Sequence, residues 1–419
     1  MKDKIIQVFR LLYKLKDTIA FYPSLIGLLG CILAYITFFL EEQDITKYLL
    51  DIIPDLLVNN TETARALLTN FIGGLISIMV FSFSMVMILL SQASSNFSPR
   101  LLPGLISNRR HQMVLGFYIA TIIYCIFILV SIKANSNEYQ LPGFSMLLAI
   151  FLMLNCLAAF IYFIHSISQE IQISNIMEKV FNKSKMRLEI LIDEDAANKH
   201  KDIEESIKWH YYNSNKSGYF QNISLENIKK IVVNTDSIID IIPFKGDFIL
   251  ADAKLFRINK KLKDEEIENI YRHFEFAKSE MIEDNYVLAF KQITEIALKA
   301  MSPGINDPGT ALNAIDYLTQ LFIIRAQKKD VNNIIVENKL RVSMTTVKFK
   351  NLLFQVMAAL RTYCKHDIIM VQKLIKMLNS ISENCENKDY EKCITEEIEQ
   401  LKIDAKLAIK NKRDLTFIT

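Results

Sequence analysis

The sequence predicts a mainly α chain: a four-helix transmembrane domain, then a cytoplasmic α+β domain with a small β-rich subdomain and a helical C-terminal part. Three observations predict it. The 419 residues are 51% hydrophobic, with a mean hydropathy of +0.19, richer in apolar side chains than a soluble core of this size needs. The first 165 residues hold only 20 of the 95 formal charges. Within that part, residues 18–40, 66–99, 111–132 and 139–169 contain no Asp, Glu, Lys or Arg. At about 1.5 Å per residue, each window crosses a hydrocarbon layer about 30 Å thick.

Residues 1–17 (MKDKIIQVFRLLYKLKD) set Ile5, Ile6, Phe9, Leu12 and Tyr13 on one helical face, with most lysines elsewhere. This fits an interfacial helix, or equally a cytoplasmic extension of the first span. The transmembrane domain covers 18–169, with spans near 18–40, 66–92, 112–132 and 141–165. The first window lacks a small-residue cleavage site and is read as a retained anchor. Basic residues orient the bundle. Lys2, Lys4, Arg10, Lys14 and Lys16 precede the first span, and Arg100, Arg109 and Arg110 separate the second from the third. The loop 41–65 instead carries Glu41, Glu42, Asp44, Asp51, Asp55 and Glu62 against Lys47 and Arg65. Both termini are therefore expected on the cytoplasmic side.

Thr61 or Thr63 is expected to cap the second span. Along that span Asn70, Ser77, Ser84, Ser91 and Ser98 recur every seven residues, beside Gly73, Gly74, Ser94 and Ser95. Seven residues are nearly two turns, so these small polar groups share one face. Such a face packs closely against another helix or walls a water-filled path in an oligomer. Beyond it, Ser98 as N-cap and Pro99 at the first helical position start a short helical turn. Arg100, Arg109 and Arg110 meet lipid headgroups or ring an inner mouth. His165, near the membrane boundary, is read as packed or hydrogen-bonded rather than a ligand.

Residues 170–216 read as a helical connector. Alternating β-formers with Gly218 and Gly246 at turns make 217–260 a small β-rich subdomain containing one helix, LENIKKIVVNTD. Residues 261–419 are helical again, apart from an extended piece near 338–344. Within them, Val287, Phe290, Ile293, Ile296, Ala297 and Ala300 form the inward face of one helix. Pro303 ends it. Asp307 then caps a new helix with Pro308 in its first turn. This local account covers Pro303, Gly304, Asp307 and Pro308 but does not require Ser302 or Asn306. The turn is purely structural, or its free helix N-terminus binds an ion or another subunit.

Cys31, Cys125 and Cys156 fall in spans as small hydrophobes, and Cys364, Cys385 and Cys393 fall in the cytoplasmic part as reduced thiols. No Cys or His spacing matches a zinc site, and no cofactor is implied. No nucleophile with a visible base or Gly-rich phosphate loop appears, so the chain is not read as an enzyme. The cytoplasmic part has 38 basic and 37 acidic residues, which leaves no nucleic-acid footprint. The partners expected are the lipid bilayer and further copies of the chain.

Five stretches carry a resemblance: Ala64-Arg65-Ala66-Leu67-Leu68, Phe97-Ser98-Pro99-Arg100-Leu101-Leu102, Ser217-Gly218-Tyr219, Gly246-Asp247-Phe248, and Met301-Ser302-Pro303-Gly304-Ile305-Asn306-Asp307-Pro308-Gly309-Thr310-Ala311. In this order they resemble the domain of unknown function 2254 family of predicted bacterial membrane proteins, over nearly the whole chain. One departure is Glu280-Met281-Ile282, where the family pattern has Glu-Arg-Thr, so no role of that arginine carries over. The resemblance implies a four-span protein of the bacterial inner membrane with a cytoplasmic domain, and no activity. The residues themselves favour a homo-oligomeric channel or channel-like conduit, or alternatively a non-conducting scaffold or signalling protein. A coupled transporter would ordinarily need an ionisable residue within the spans.

Overall fold

A computed structural model describes residues 21–43, 45–53, 55, 57–58, 60–96, 109–132, 142–170, 172–197, 208–277, 285–330, 332–336 and 339–418. They divide into two compact units, the first ending at Gln172 and the second beginning at Ile173. The expected interfacial helix at 1–17, the turn at Ser98-Pro99-Arg100, and Glu280-Met281-Ile282 lie outside the described residues.

The first unit contains α1 (Phe21–Glu42), the short α2 (Ile45–Ile52), α3 (Thr61–Asn96), α4 (Arg109–Ser131) and α5 (Gly143–Glu170). Four of these, α1, α3, α4 and α5, are long and apolar enough to cross a membrane. Glu42, Thr61, Asn96, Arg109 and Glu170 are helix ends that lie outside the expected spans. Asn60, rather than Thr61 or Thr63, caps α3: its Oδ1 accepts from the amides of Glu62 at 2.8 Å and Thr63 at 3.1 Å. At the same end of the bundle, Arg65 Nη2 donates to the Ile132 carbonyl at 2.9 Å, just past α4. Glu41 accepts from the Ser145 amide at 2.9 Å, and the Thr46 hydroxyl accepts from the Phe144 amide at 3.0 Å. These contacts cap the first turn of α5.

The bundle core comprises Leu68, Tyr124, Ile128, Met146 and Ala149, continued by Leu75, Tyr118, Cys156 and Phe163. The approach of α1 to α4 is very close. A Cβ added to Gly30 would lie 2.3 Å from the Ala120 carbonyl oxygen, so only glycine lets these backbones meet.

The second unit opens with α6 (Ile173–Ala197) and continues through β1 (His210–Asn213), β2 (Gly218–Ile223), α7 (Leu225–Asn234), β3 (Ile239–Ile241), β4 (Phe248–Ile249) and β5 (Lys254–Ile258). Then come α8 (Asp264–Tyr271), β6 (Phe274–Ala277), α9 (Tyr286–Ala300), α10 (Pro308–Gln327), β7 (Asn332–Val336) and β8 (Lys339–Met344). The chain ends with α11 (Phe349–Cys364), α12 (Ile368–Glu383), α13 (Lys388–Ala408) and α14 (Lys412–Leu415).

The strands form two sheets, of order β1-β5-β3-β8-β7 and β4-β2-β6. The β-rich part therefore extends beyond 217–260. β1 falls in the stretch read as helical connector, where Tyr211 and Tyr212 pair with Arg257 and Phe256 of β5. β6 completes the small sheet, and β8 pairs in parallel with β3, placing Ile239 beside Val342. Strand neighbours so distant in sequence leave no local periodicity to read. Gly246 takes the left-handed conformation a turn requires, with φ 94°, whereas Gly218 begins a strand. Phe220, Phe256 and Phe274 centre the sheet core, with Phe256 and Phe274 stacked at 5.7 Å. In the helical part, Phe290, Phe322, Phe349 and Tyr390 form a continuous aromatic chain, closing on a stacked Phe349–Tyr390 pair at 4.4 Å.

Candidate functional site

The polar stripe of α3 lies on the side of that helix away from its own bundle. Among the residues of α3 whose burial is described, Ala64, Leu68, Leu75 and Ser82 are the buried ones, whereas Asn70, Ser77, Ser84 and Ser91 are all exposed. Two residues separate Leu68 from Asn70, Leu75 from Ser77 and Ser82 from Ser84, a turn of about 200° around the helix axis. An added Cβ at Gly73, beside the stripe, would meet nothing within 4 Å. From Asn70 to Ser91 the face extends about 32 Å, the thickness of a hydrocarbon core. The Ser77 hydroxyl donates to the Gly73 carbonyl at 2.9 Å, the back-bond by which serine satisfies itself inside an apolar helix.

The basic residues expected at an inner mouth are placed in part. Arg109 and Arg110 open α4 and are exposed, and the Arg109 guanidinium lies 5.9 Å from the centre of the Tyr22 ring. Arg100 lies outside the described residues. His165 is hydrogen-bonded, its Nε2 3.1 Å from Gln169 Nε2.

The turn at 302–308 is assembled by its own hydrogen bonds. The Ser302 hydroxyl donates to the Lys299 carbonyl at 2.6 Å, and the Ser302 carbonyl accepts from the Ile305 amide at 3.1 Å and the Asn306 amide at 2.9 Å. Asn306 adopts φ 49°, a left-handed conformation that asparagine tolerates better than most residues. The Asp307 amide then returns to the Ala300 carbonyl at 2.8 Å. Asp307 caps α10, accepting from the Thr310 amide at 3.1 Å and the Thr310 hydroxyl at 2.6 Å. Those Thr310 donors hold the Asp307 carboxyl below its ordinary range. Ser302 and Asn306, unexplained by the sequence pattern, thus acquire structural roles. Pro303, Gly304, Ile305 and Pro308 are exposed.

A second polar centre is invisible to motif reading. Arg325 of α10 is wholly buried. Its Nε donates to the Tyr286 hydroxyl at 3.1 Å, Nη1 to the Lys328 carbonyl at 2.8 Å, and Nη2 to Asp330 and to the Val347 carbonyl at 2.8 Å. Lys328, 2% exposed, pairs with Asp195 of α6 at 3.4 Å. Burial pulls the Lys328 ammonium below the usual lysine range. The one signal in the sequence is phase: Ala311, Ala314, Ile315, Leu318, Leu321 and Phe322 mark the inner face of α10, and Arg325 lies on it.

Comparison with known proteins agrees with this architecture. Residues 16–380 match the family described as "Predicted membrane protein (DUF2254)". Two similar relatives are the uncharacterized protein Mb1321c of Mycobacterium bovis and the uncharacterized protein Rv1290c of Mycobacterium tuberculosis. Each is 23% identical over 334 residues, covering 77% of this chain and 64% of the relative. The chain thus spans under two thirds of the length of these relatives. No solved structure matches. With four apolar helices preceding a mixed unit, and the match covering both, the chain belongs to the DUF2254 family of predicted membrane proteins.

Proposed function

We propose that the chain is a multi-pass protein of the bacterial inner membrane, with both termini cytoplasmic, that assembles as a homo-oligomeric channel or channel-like conduit. In this reading α3 lines the path and the second unit serves as sensor or vestibule, with no enzymatic step. One observation carries it: Asn70, Ser77, Ser84 and Ser91 form an exposed polar face along the length of α3, opposite the residues it buries. Hydrocarbon is a poor solvent for an asparagine amide, and water lining a path between copies is a good one.

The full chain in lipid nanodiscs is the material for the test. Single-particle imaging is expected to show a closed ring with Ser77 and Ser84 toward the axis. Planar-bilayer recordings should then give a conductance that Ser84→Leu abolishes. A monomer, or a dimer with the stripe buried between copies, refutes the path, as does unchanged conductance in Ser84→Leu.

A second reading is a non-conducting scaffold or signalling protein. It is favoured by Ile305, an apolar side chain 43% exposed at the tip of the cytoplasmic turn. Crosslinking from that turn to another protein, without conductance, would select it.

A further inference from the structure

We propose that a cleft within the second unit binds a small tetrahedral oxyanion: inorganic phosphate, or the phosphate group of a larger ligand. This site is independent of any path along α3. Its walls come from five segments distant in sequence: α6, the loop after β3, the start of α9, the end of α10 and the segment after β8. Three cationic side chains line it, Arg187, Lys245 and Lys328, and no acidic side chain is among its described lining residues. Its volume of about 50 Å³ holds roughly four waters at ~10–15 Å³ each, the scale of a phosphate and well short of a nucleoside.

Two of the three donors are held in place by hydrogen bonds. Lys245 Nζ is anchored on Asn222 Oδ1 at 2.7 Å. Lys328 Nζ is anchored on Asp195 Oδ2 at 3.4 Å and on the Lys329 carbonyl at 2.8 Å. Arg187 Nε is buried without a hydrogen-bond partner, an unsatisfied charged donor of the kind a ligand completes. Asn285, Tyr286 and Val287, at the first turn of the 15-residue α9, also line the cleft. The positive end of that helix dipole adds to the same sign of potential. A bound oxyanion would complete the Arg187 Nε donor, and guanidinium and ammonium donors suit phosphate oxygens.

The test uses the full chain in detergent and phosphate-free buffer, titrated with inorganic phosphate and followed by calorimetry. Saturable binding is expected, weakened at least about tenfold by Arg187→Gln and by Lys245→Gln, each of which removes a charged hydrogen-bond donor. Both side chains are only half-buried, so the variants should unfold at the wild-type temperature without phosphate. Glycerol phosphate, and nanodiscs with phosphatidic acid in place of phosphatidylcholine, distinguish the sources. Tighter binding of either, lost in the same variants, assigns the anion to a phosphorylated metabolite or to a lipid headgroup. No saturable binding of any of the three at millimolar concentration overturns the proposal. So does binding that both folded variants retain unchanged.

Discussion

Replacing Asp330 with alanine tests whether the buried Arg325 network holds the second unit together. Of the described acceptors around the guanidinium, only Asp330 is charged; the others are a phenol and two carbonyls. Arginine does not shed its proton in proteins, so the substitution strands a wholly buried cation. Removing one partner of a buried ion pair costs about 3–5 kcal/mol. Asp330 also accepts from the Phe349 amide, the first of α11, at 3.0 and 3.1 Å, a capping role worth about 1 kcal/mol. Its side chain is 22% exposed, so water reaches part of the vacated site and the sum falls near the lower end, about 3–4 kcal/mol.

For a unit of this size each kcal/mol moves the unfolding midpoint by about 2–4 °C, giving a loss of about 6–16 °C. Asp330→Asn, which keeps an acceptor but no charge, should fall between wild type and alanine. The readout is intrinsic fluorescence: Trp209, the only tryptophan, lies in the second unit with the Arg257 guanidinium 4.5 Å from its ring centre. Thermal unfolding of the full chain in detergent therefore reports on this unit. A fall under about 2 °C for Asp330→Ala would refute the reasoning, because an uncompensated buried guanidinium cannot be that cheap.

Two further outcomes follow from local geometry. Arg341, Lys260 and Lys339 surround the Asp236 carboxylate and hold it at about 2, from an ordinary 3.8. A depressed carboxylate stabilises the fold above its unfolded value, and that contribution is lost as pH falls toward 2. Asp236→Asn should therefore show a shallower loss of stability than wild type between those two values, by fluorescence-detected acid unfolding; parallel acid limbs would refute the assignment. In the first unit, Gly30→Val would drive a Cβ onto the Ala120 backbone, an overpacking cost of about 1–3 kcal/mol or more. The variant should lose monodispersity in detergent, whereas Gly73→Ala, with open space around it, should not lose the monomer fold.

The spans were legible because charge and hydropathy are read one residue at a time: charge-free windows of sufficient length suffice to place α1, α3, α4 and α5. The turn at 302–308 was legible for a related reason, since proline and an aspartate cap act on their immediate neighbours. Helix starts were less so. Asn60, Thr61 and Thr63 all have capping side chains, and only the backbone path decides which oxygen reaches the free amides. The sheet order and the Arg325 network were hidden because their parts come from separate segments. Asp195, Tyr286, Arg325, Asp330 and Tyr390 share no spacing, and β8 joins β3 across about a hundred residues. Arg325 alone left a trace, as a charge on an apolar helical face.

The seven-residue recurrence on α3 shows how structure sharpens a pattern that sequence leaves open. By itself the recurrence fits a packing seam more readily than a wet wall, although both need small polar residues on one face. The buried row Ala64, Leu68, Leu75 and Ser82 lies on the opposite side, so none of the other described helices of the first unit is the partner of the stripe. Beyond the chain itself, the candidates to face it are lipid, water and another copy. Serine hydroxyls tolerate lipid by bonding back to the helix, as Ser77 does to Gly73. Asn70 has an amide too large in hydrogen-bonding capacity to be silenced that way, because each of its donors and acceptors needs a partner. Water alone has no route to the lipid-facing side of a monomer. In the proposed assembly a second copy would supply either a polar seam or the opposite wall of a path, which is why the symmetry of the assembly discriminates between conduit and scaffold.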